Sequence, residues 1–389
     1  MRNQTSMAIK KTLIILSALA AAGWGREAAS ASEIEWNWKG EALYRYESSR
    51  LDGDSRFDGS HRIGLHFGTF PKINDEIKGG IEVATGASNP TSRLYVLGSG
   101  DAFSMSDLML NQAYLEIRPL SYGLEGNAAL SAGKRDVSEC LVRVNDLLWD
   151  TDVTLEGLTL QYGRNGKKLQ QGLSATAGYY ILGEVSETAT TDKTVTDDPA
   201  LWTAQLAWSG KSGGVDYMLG SSYYKYLNIE GSSITWTYGD KLFGNTGTSG
   251  TSGKLTYDYD IIEIFANAGG KFGSGLPWKV YGQYASNIAS GVDNNDTAYL
   301  VGGTLGKADK VGKWSLDANY CYLEKDALIG AFTDGTRFKG GTDGQGIKLT
   351  AQYQLIKDLN VALKYYNHEK VIDSGNHYQL WQADMLVKF

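Results

Sequence analysis

This chain of 389 residues is poor in proline, histidine and cysteine, with 5, 4 and 2 of them. Apart from the weak pair His61 and His66, no histidine stands at a spacing that metal ligands use, and we expect no metal and no other cofactor. The sequence also has no HExxH, no GxSxG and no phosphate-binding loop. We therefore expect no catalytic residues and no enzyme activity.

Basic charge and long apolar runs are lacking as well. The net charge is -7, and because nucleic acid binds to basic surfaces, we expect no nucleic-acid partner. No run of about 18 apolar residues follows position 31, so no membrane-spanning helix is expected. A closed β-barrel would still cross a membrane, because its hydropathy signal is much weaker.

The N terminus has the three parts of a secretory signal. A positively charged start is followed by an apolar run at 12–23 and by small residues that suit cleavage at 29–31. We interpret residues 1–31 as a signal peptide that is cleaved after Ala31, with an uncleaved N-terminal anchor as the alternative. Residues 32–389 are then the mature chain, which we expect to form a single domain.

Alternation of apolar and polar residues dominates the rest of the chain. In the segment WNWKGEALYRY (36–46), the aromatic side chains share one face, and charged and amide side chains share the other. The same period of two returns in about sixteen segments of roughly 8 to 12 residues, and the last of them is 378–389. Strict alternation of this length predicts β-strands.

The connections between these segments alternate between short and long. Short ones are rich in glycine, proline, asparagine and aspartate, as tight turns require, and they lie at 70–75, 118–123, 163–168, 209–214, 306–312 and 356–360. Longer polar loops lie at 47–60, 89–106, 135–152, 183–199, 227–256, 325–345 and 369–377, with a shorter loop at 289–295. This arrangement predicts an all-β transmembrane antiparallel barrel of about 16 strands, with short periplasmic turns and long extracellular loops.

A soluble β-sandwich or propeller is the alternative fold. Two features favour the membrane barrel over it. The segments approach the roughly 9–11 residues that a tilted membrane strand needs. Aromatic residues also crowd the strand ends on the apolar face, as a membrane–water interface favours, for example at Trp36, Trp38, Trp202, Trp208, Trp278, Trp314 and Trp381.

The polar face of the strands would then line a lumen too wide for side chains to fill, so we expect water inside it. Its charged residues carry both signs and indicate no strong preference for anions or cations. The residues that we expect to face the lumen include Lys39, Glu41, Arg45, Arg62, Glu82, Glu116, Lys279 and Lys348.

The loop 135–152 differs from the others, because its apolar residues have helical spacing over 136–150. Such an amphipathic helix could fold into the barrel or cap its mouth. We favour insertion, since a water-filled pore needs a constriction to select by size and charge. The residues that would set selectivity are Arg135, Glu139, Arg143, Asp146, Asp150 and Asp152.

The two cysteines and the last residue complete the set of candidate sites. Cys140 lies on the apolar side of the expected helix and Cys321 on the inner face of its strand. In an oxidising compartment they could form a disulfide, and two free thiols are the alternative. The final segment would pair with the first strand and so close the barrel. Phe389 then resembles the terminal aromatic that the barrel-assembly machinery of outer membranes reads.

Three stretches together resemble the putative porin family of Gram-negative outer membranes. They are HRIGLHFGTFPKINDEIKGGIEVATGASNPTS (61–92), LNQAYLEIRP (110–119) and LLWDTDVTLEGLTLQY (147–162). The resemblance implies a 16-stranded-type barrel for passive diffusion of small hydrophilic solutes, a homotrimer, and no catalytic residues.

The leading hypothesis is thus an outer-membrane porin whose surroundings are lipid and lipopolysaccharide. A substrate-specific outer-membrane channel or exporter, for example of a polysaccharide or an organic anion, is the alternative. An exporter should show a strong ladder of one charge sign, which the expected lumen lacks. A barrel enzyme and an adhesion barrel are more distant alternatives.

Overall fold

The computed structural model describes residues 33–389 except 87, 100–106, 185–196, 233, 249–252 and 373–375. The chain divides into the segment Met1–Glu35 and a compact unit, Trp36–Phe389. The signal peptide at 1–31 and its cleavage after Ala31 lie outside the described residues, so they stay predictions. The unit Trp36–Phe389 contains every strand of the barrel.

Sixteen long antiparallel strands form the wall of the barrel in the described part of the chain. They are β1 (Trp38–Leu51), β2 (Asp58–Thr69), β3 (Ile77–Thr85), β4 (Leu108–Ile117), β5 (Ala128–Asp136), β6 (Thr154–Tyr162), β7 (Gly172–Ile181), β8 (Ala200–Ser212), β9 (Val215–Leu227), β10 (Asp260–Lys271), β11 (Pro277–Asn287), β12 (Thr297–Gly306), β13 (Trp314–Leu323), β14 (Gly344–Ile356), β15 (Leu359–Glu369) and β16 (His377–Lys388). Each strand pairs with the next, and β1 pairs with β16 from Glu41↔Lys388 to Leu51↔Tyr378. Because the ring closes, no strand edge is left without a partner.

Alternation along each strand separates an outer apolar face from an inner face, as predicted. On β8, Trp202, Leu206 and Trp208 are 49%, 57% and 55% exposed on the outside. Between them Thr203 and Gln205 point inwards and are buried. This apolar exterior is what a strand needs in order to face lipid. In the described residues, no helix is long and apolar enough to cross a membrane.

The two ends of the barrel differ as the connection lengths predicted. Among the described connections, two turns have only two residues, 213–214 between β8 and β9 and 357–358 between β14 and β15. At 213–214 both glycines have positive φ (56° and 81°). The longest connections, 228–259, 86–107 and 324–343, all lie at the opposite end. Some expected connections are too long. β8 and β9 pair as far as Ser212↔Val215, and β1 and β2 pair as far as Ser49↔Asp58. The loop expected at 47–60 therefore shrinks to 52–57.

The wall between β2 and β3 is completed by a loop. β2 pairs with β3 only over His66–Thr69. Beyond that point Arg62 and Ile63 pair with the short strand Tyr95–Val96, which belongs to the loop 86–107. The loop thus supplies the hydrogen bonds that the short strand β3 cannot provide.

The barrel contains an apolar core that the alternation did not predict. In the half of the barrel next to the long loops, the inward residues of β8–β13 are mainly apolar, among them Leu201, Tyr224, Ile261, Leu300 and Leu323. Buried residues of three loops, 137–153, 228–259 and 324–343, pack against them. The expectation of a polar inner wall facing water is therefore wrong for this sector, and the open lumen is confined to the remaining wall.

Candidate pore constriction

The loop 137–153 is helical over a single turn, α1 (Val137–Cys140), which Asp136 caps by accepting the backbone N–H of Ser138 at 2.8 Å. The amphipathic helix expected over 136–150 is wrong beyond Cys140. Beyond that turn, several backbone groups of the loop bond to side chains of the barrel. The apolar residues at helical spacing are still buried, but along a non-helical path.

Three long polar side chains hold this path. Gln161 on β6 donates hydrogen bonds to the carbonyl oxygens of Glu139 and Cys140, both at 2.8 Å. Gln205 on β8 bonds both the N–H and the carbonyl of Val142. The guanidinium of Arg164, which follows β6, donates to the carbonyls of residues 138, 140 and 141. These bonds satisfy the buried backbone groups that a helix would otherwise satisfy internally.

Apolar contacts fix the loop against the inner wall. Leu141 and Leu147 are fully buried, and Trp149 packs edge-on against Tyr224 of β9 at 5.8 Å between ring centroids. Because Tyr224 and Gln205 both point into the barrel, the loop lies inside it rather than above its mouth. That the loop narrows the pore, as the sequence led us to expect, stays a prediction.

The loop is bonded to a second loop, 324–343, through Asp150. The Asp150 N–H donates to the carbonyl of Phe332 at 2.7 Å, and its carboxylate accepts the N–H of Gly335 at 2.8 Å. Burial, followed by the neighbouring charges of Asp152, Asp334 and Asp146, raises the pKa of Asp150 well above its ordinary value.

The second loop, 324–343, contains a carboxyl whose pKa is shifted in the opposite direction. Burial alone would raise the pKa of Asp334, but the charges of Lys348 and Arg337 outweigh it and hold that pKa below its ordinary value. The pKa values of the neighbouring residues Asp150 and Asp334 are therefore shifted in opposite directions.

The structure separates the six residues expected to set selectivity. Arg135 is buried in the wall, bonded to Glu116 at 2.7 Å, and its other amino group lies 3.2 Å from Glu139. Asp150 is buried in the contact between loops. Three of the six side chains reach the lumen. Arg143 and Asp146 are bonded to each other, and Arg143 also donates to the carbonyl of Trp149. The third is Asp152, which is bonded to Arg93 at 3.2 Å.

The eight residues expected to face the lumen lie on the inner side of the barrel in different settings. Glu41, Arg45, Arg62 and Lys348 line an open cavity of about 750 Å³. Glu116 is fully buried and Glu82 is nearly so, with Glu82 accepting hydrogen bonds from Asn111 and Gln112. The two remaining lysines lie over aromatic rings, Lys39 over Phe70 at 5.4 Å and Lys279 over Tyr281 at 5.7 Å.

Two lumen cavities meet beside the loop. One, of about 750 Å³, lies along β1, β2 and β14–β16, and the other, of about 810 Å³, lies along β8–β15. Both are lined by the same six residues, Asp146, Thr151, Lys167, Lys348, Gln352 and Lys364. This shared ring of loop and wall side chains is the junction between the two cavities.

Cys140 and Cys321 are both buried and both are free thiols, so the alternative without a disulfide is the state of this structure. Burial raises the pKa of the Cys140 thiol to about 11. Both residues belong to the apolar core, where a neutral thiol packs as a small apolar group.

Asp334 and Arg337 are site residues that the sequence pattern missed. Both are buried inside the barrel and touch the residues at the junction: Lys348 lies 3.6 Å from Asp334. The sequence pattern places their segment, 325–345, among the longer polar loops of the extracellular end. Its apolar residues at 327–332 were the available signal that it folds inwards.

Comparison with known families decides the identity of this barrel. A family model described as "Putative porin" matches residues 52–251 and 248–389, which is most of the chain. The chain belongs to this porin family. A search of curated proteins found no match.

Solved porins have the same fold. OprB of Pseudomonas putida, in its high-pH structure, matches with a TM-score of 0.60 at 10% identity, over 91% of this chain and 94% of that chain. Its low-pH structure matches with a TM-score of 0.51 at 11% identity, over 91% and 92%. OmpF of Salmonella typhi, in complex with daunomycin, matches with a TM-score of 0.50 at 13% identity, over 91% and 97%.

This porin is an outer-membrane channel for diffusion, as the alternating strands and the resemblance predicted. The family and the closed barrel suggest a channel rather than an enzyme. The low identities to solved porins limit that comparison to the fold, so the solute path follows from the residues of this chain.

Proposed function

We propose that this porin passes small hydrophilic solutes by passive diffusion and that the loop 137–153 forms its constriction. The observation that supports this proposal is that the two lumen cavities share six junction residues. On one side are Asp146 and Thr151 of the loop with Lys167 of the adjacent turn, and on the opposite wall are Lys348, Gln352 and Lys364. A solute that crosses the barrel passes between these two groups.

The filled sector of the barrel supports a small solute. The apolar core behind the loop fills the sector of β8–β13 next to the long loops, and the two cavities lie along the polar parts of the wall. Charged and amide side chains line that wall in both signs. Such a lining replaces part of the hydration of a polar solute and offers no apolar surface to a lipid-like one.

A homotrimer is the second part of the proposal. The strands β3–β6 are short, with 9, 10, 9 and 9 residues. Their outward residues are mostly aliphatic, for example Ile81, Leu115 and Leu160. An ion pair, Lys134 with Glu156, also lies on this outer face. A charged pair and a weak aromatic belt suit contact with another copy better than contact with lipid.

The remaining outer face, rich in tryptophan and tyrosine, suits lipid and lipopolysaccharide. We also retain Phe389 as the residue that the barrel-assembly machinery reads. Its ring lies on the outer surface over Gly40, 6.3 Å from the ring of Phe67. The main-chain groups of Phe389 and Gly40 bond each other at 2.7 and 3.0 Å.

Liposome swelling with a series of neutral sugars tests this function. Purified protein in liposomes should admit monosaccharides fastest, and the rate should fall steadily as the sugar becomes larger. Uptake of one sugar far out of line with its size would favour the substrate-specific channel. No swelling with any solute, from protein that is folded on an unheated gel, would reject the diffusion pore.

A further inference from the structure

On the wall side of the junction, two carboxylates are each paired with two cationic side chains. Asp384 of β16 receives Arg45 of β1 through two hydrogen bonds, at 2.7 and 2.8 Å. Lys364 of β15 lies 2.8 Å from the same carboxylate. One negative charge is therefore shared by two positive charges, and this group keeps one net positive charge.

A neighbouring group of side chains also has two cations for one carboxylate. Asp334 lies 3.3 Å from the guanidinium of Arg337 and 3.6 Å from the ammonium of Lys348. Lys348 and Lys364 stand on adjacent strands, where the register pairs Thr350 with Lys364 and Lys348 with Tyr366. The two lysines are thus diagonal neighbours on one face, which places their Cα atoms about 7–8 Å apart.

The acidic residues of the opposite loop do not balance this excess. Asp146 is paired with Arg143, and Asp152 is paired with Arg93. Asp150 is buried and turned into the contact with the second loop. Lys167, the third lysine of the junction, is paired with Asp136 at 3.7 Å, so the net positive charge comes from the groups around Lys348 and Lys364.

We propose that the junction is a binding zone for small oxyanions, carboxylates or phosphate, and that this porin conducts anions in preference to cations. The proposal deepens the proposed function and rests on it. An anion that passes Lys348 and Lys364 meets net positive charge within a Debye length of about 8 Å, so salt screens the attraction only partly. The local sign is opposite to the net charge of the whole chain, which is -7.

The reversal potential of the intact porin in a planar bilayer, under a gradient of KCl, tests the preference. We expect a chloride-to-potassium permeability ratio above one. Lys364→Gln should lower this ratio by about two- to fivefold, because one unit charge about 8 Å from the path changes the local concentration of each ion in opposite directions. Asp384→Asn, which removes an acid from the same group, should raise it.

Lys357→Gln is the matched control. Lys357 carries the same charge on the turn between the same two strands, but its side chain is 91% exposed and away from the junction. It should leave the ratio unchanged. Inorganic phosphate added to wild-type channels should also reduce the chloride current more than it does in Lys364→Gln.

The possible results distinguish the anion zone from the diffusion pore. A wild-type ratio at or below one, or equal effects of Lys357→Gln and Lys364→Gln, would overturn the anion zone while leaving the diffusion pore intact. An absence of conductance with every ion would overturn the pore itself and the anion zone with it.

Discussion

The side-chain amide of Gln205 forms two hydrogen bonds with the backbone of Val142. The Val142 N–H donates to the amide oxygen at 2.7 Å, and the amide nitrogen donates to the Val142 carbonyl at 3.0 Å. The side chain of Gln205 thereby offers Val142 the donor and the acceptor that a neighbouring peptide group would offer in a helix or sheet. The loop 137–153 is thus fixed to β8 through its main chain, at a point where the loop forms neither helix nor strand.

Replacing Gln205 with leucine should loosen the loop. Two buried backbone groups lose their partner, at a cost of about 1–3 kcal/mol for each group that stays unsatisfied. We expect a folded barrel whose single-channel current fluctuates more than that of the wild type, as the loop moves in the pore. Gln170→Leu, at an exposed position on a short turn, should behave as the wild type. Equal current noise in the two variants would show that Gln205 does not hold the loop.

Glu116 is the anion on which three cations depend. It is fully buried, and Arg135, Lys78 and Arg118 lie 2.7, 3.1 and 3.1 Å from its oxygens. Glu116→Gln leaves Lys78 and Arg118 without this anion and Arg135 with Glu139 alone, and it should lower the free energy of unfolding by about 3–5 kcal/mol. Guanidinium unfolding of the purified barrel measures the loss.

The exposed pair Lys211–Asp216 is the comparison for Glu116. Its Asp216→Asn variant should cost at most about 1 kcal/mol, because the Asp216 side chain is 68% exposed. Similar losses in the two variants would argue against a structural role for the buried cluster.

Asp150 should give the barrel a pH dependence with a defined sign. Since its pKa is raised in the folded state, chiefly by burial, its contribution to stability is full below the ordinary pKa. That contribution is lost as pH rises through the folded pKa. The unfolding temperature of Asp150→Asn, read from heat-modifiable migration on gels, should therefore rise relative to the wild type between pH 4 and pH 8.

Asp75 provides the opposite sign as a control for Asp150. Its hydrogen bond from Lys72 lowers the pKa of Asp75, so its contribution is present above the ordinary pKa and is lost as pH falls. The Asp75→Asn variant should show a small trend in the other direction. A difference between Asp150→Asn and wild type that does not change with pH would contradict a raised pKa at Asp150.

The contact between Phe389 and Gly40 leads to a prediction about assembly. A Cβ at position 40 would overlap the Phe389 ring. We expect that deleting Phe389, or replacing Gly40 with valine, reduces the heat-modifiable barrel in the outer membrane while export across the inner membrane continues. Phe389→Trp should assemble normally. Phe272→Ala, which removes an equally exposed aromatic at a short turn, should also assemble, and normal assembly without Phe389 would reject the role of the terminal residue.

The strands and the turns could be predicted because each depends on local sequence. Alternation over β8 gives its faces directly, and the glycines at 213 and 214 lie within the turn expected at 209–214, which consists of these two residues in the structure. The number of alternating segments predicted about sixteen strands. The limits of β1 and β2 could not be predicted, because the pairing of Ser49 with Asp58 depends on two polar segments that have no apolar alternation.

The candidate site could be predicted only in outline. The position of the inserted loop follows from its apolar residues, but its course follows from Gln161, Arg164 and Gln205, whose partners are distant in sequence. The excess of positive charge at the junction could not be predicted from the sequence either. It depends on which carboxylate each cation reaches, and a charge count along the strands does not contain that information.

The conductance of single channels in a planar bilayer tests the constriction most directly, with the wild type compared against a variant that lacks residues 138–146. Folding of both proteins is verified by heat-modifiable migration on gels. A barrel whose pore is narrowed by this loop should show a larger conductance after the deletion, together with faster swelling of liposomes in large sugars. Unchanged conductance in a folded deletion variant would contradict the constriction.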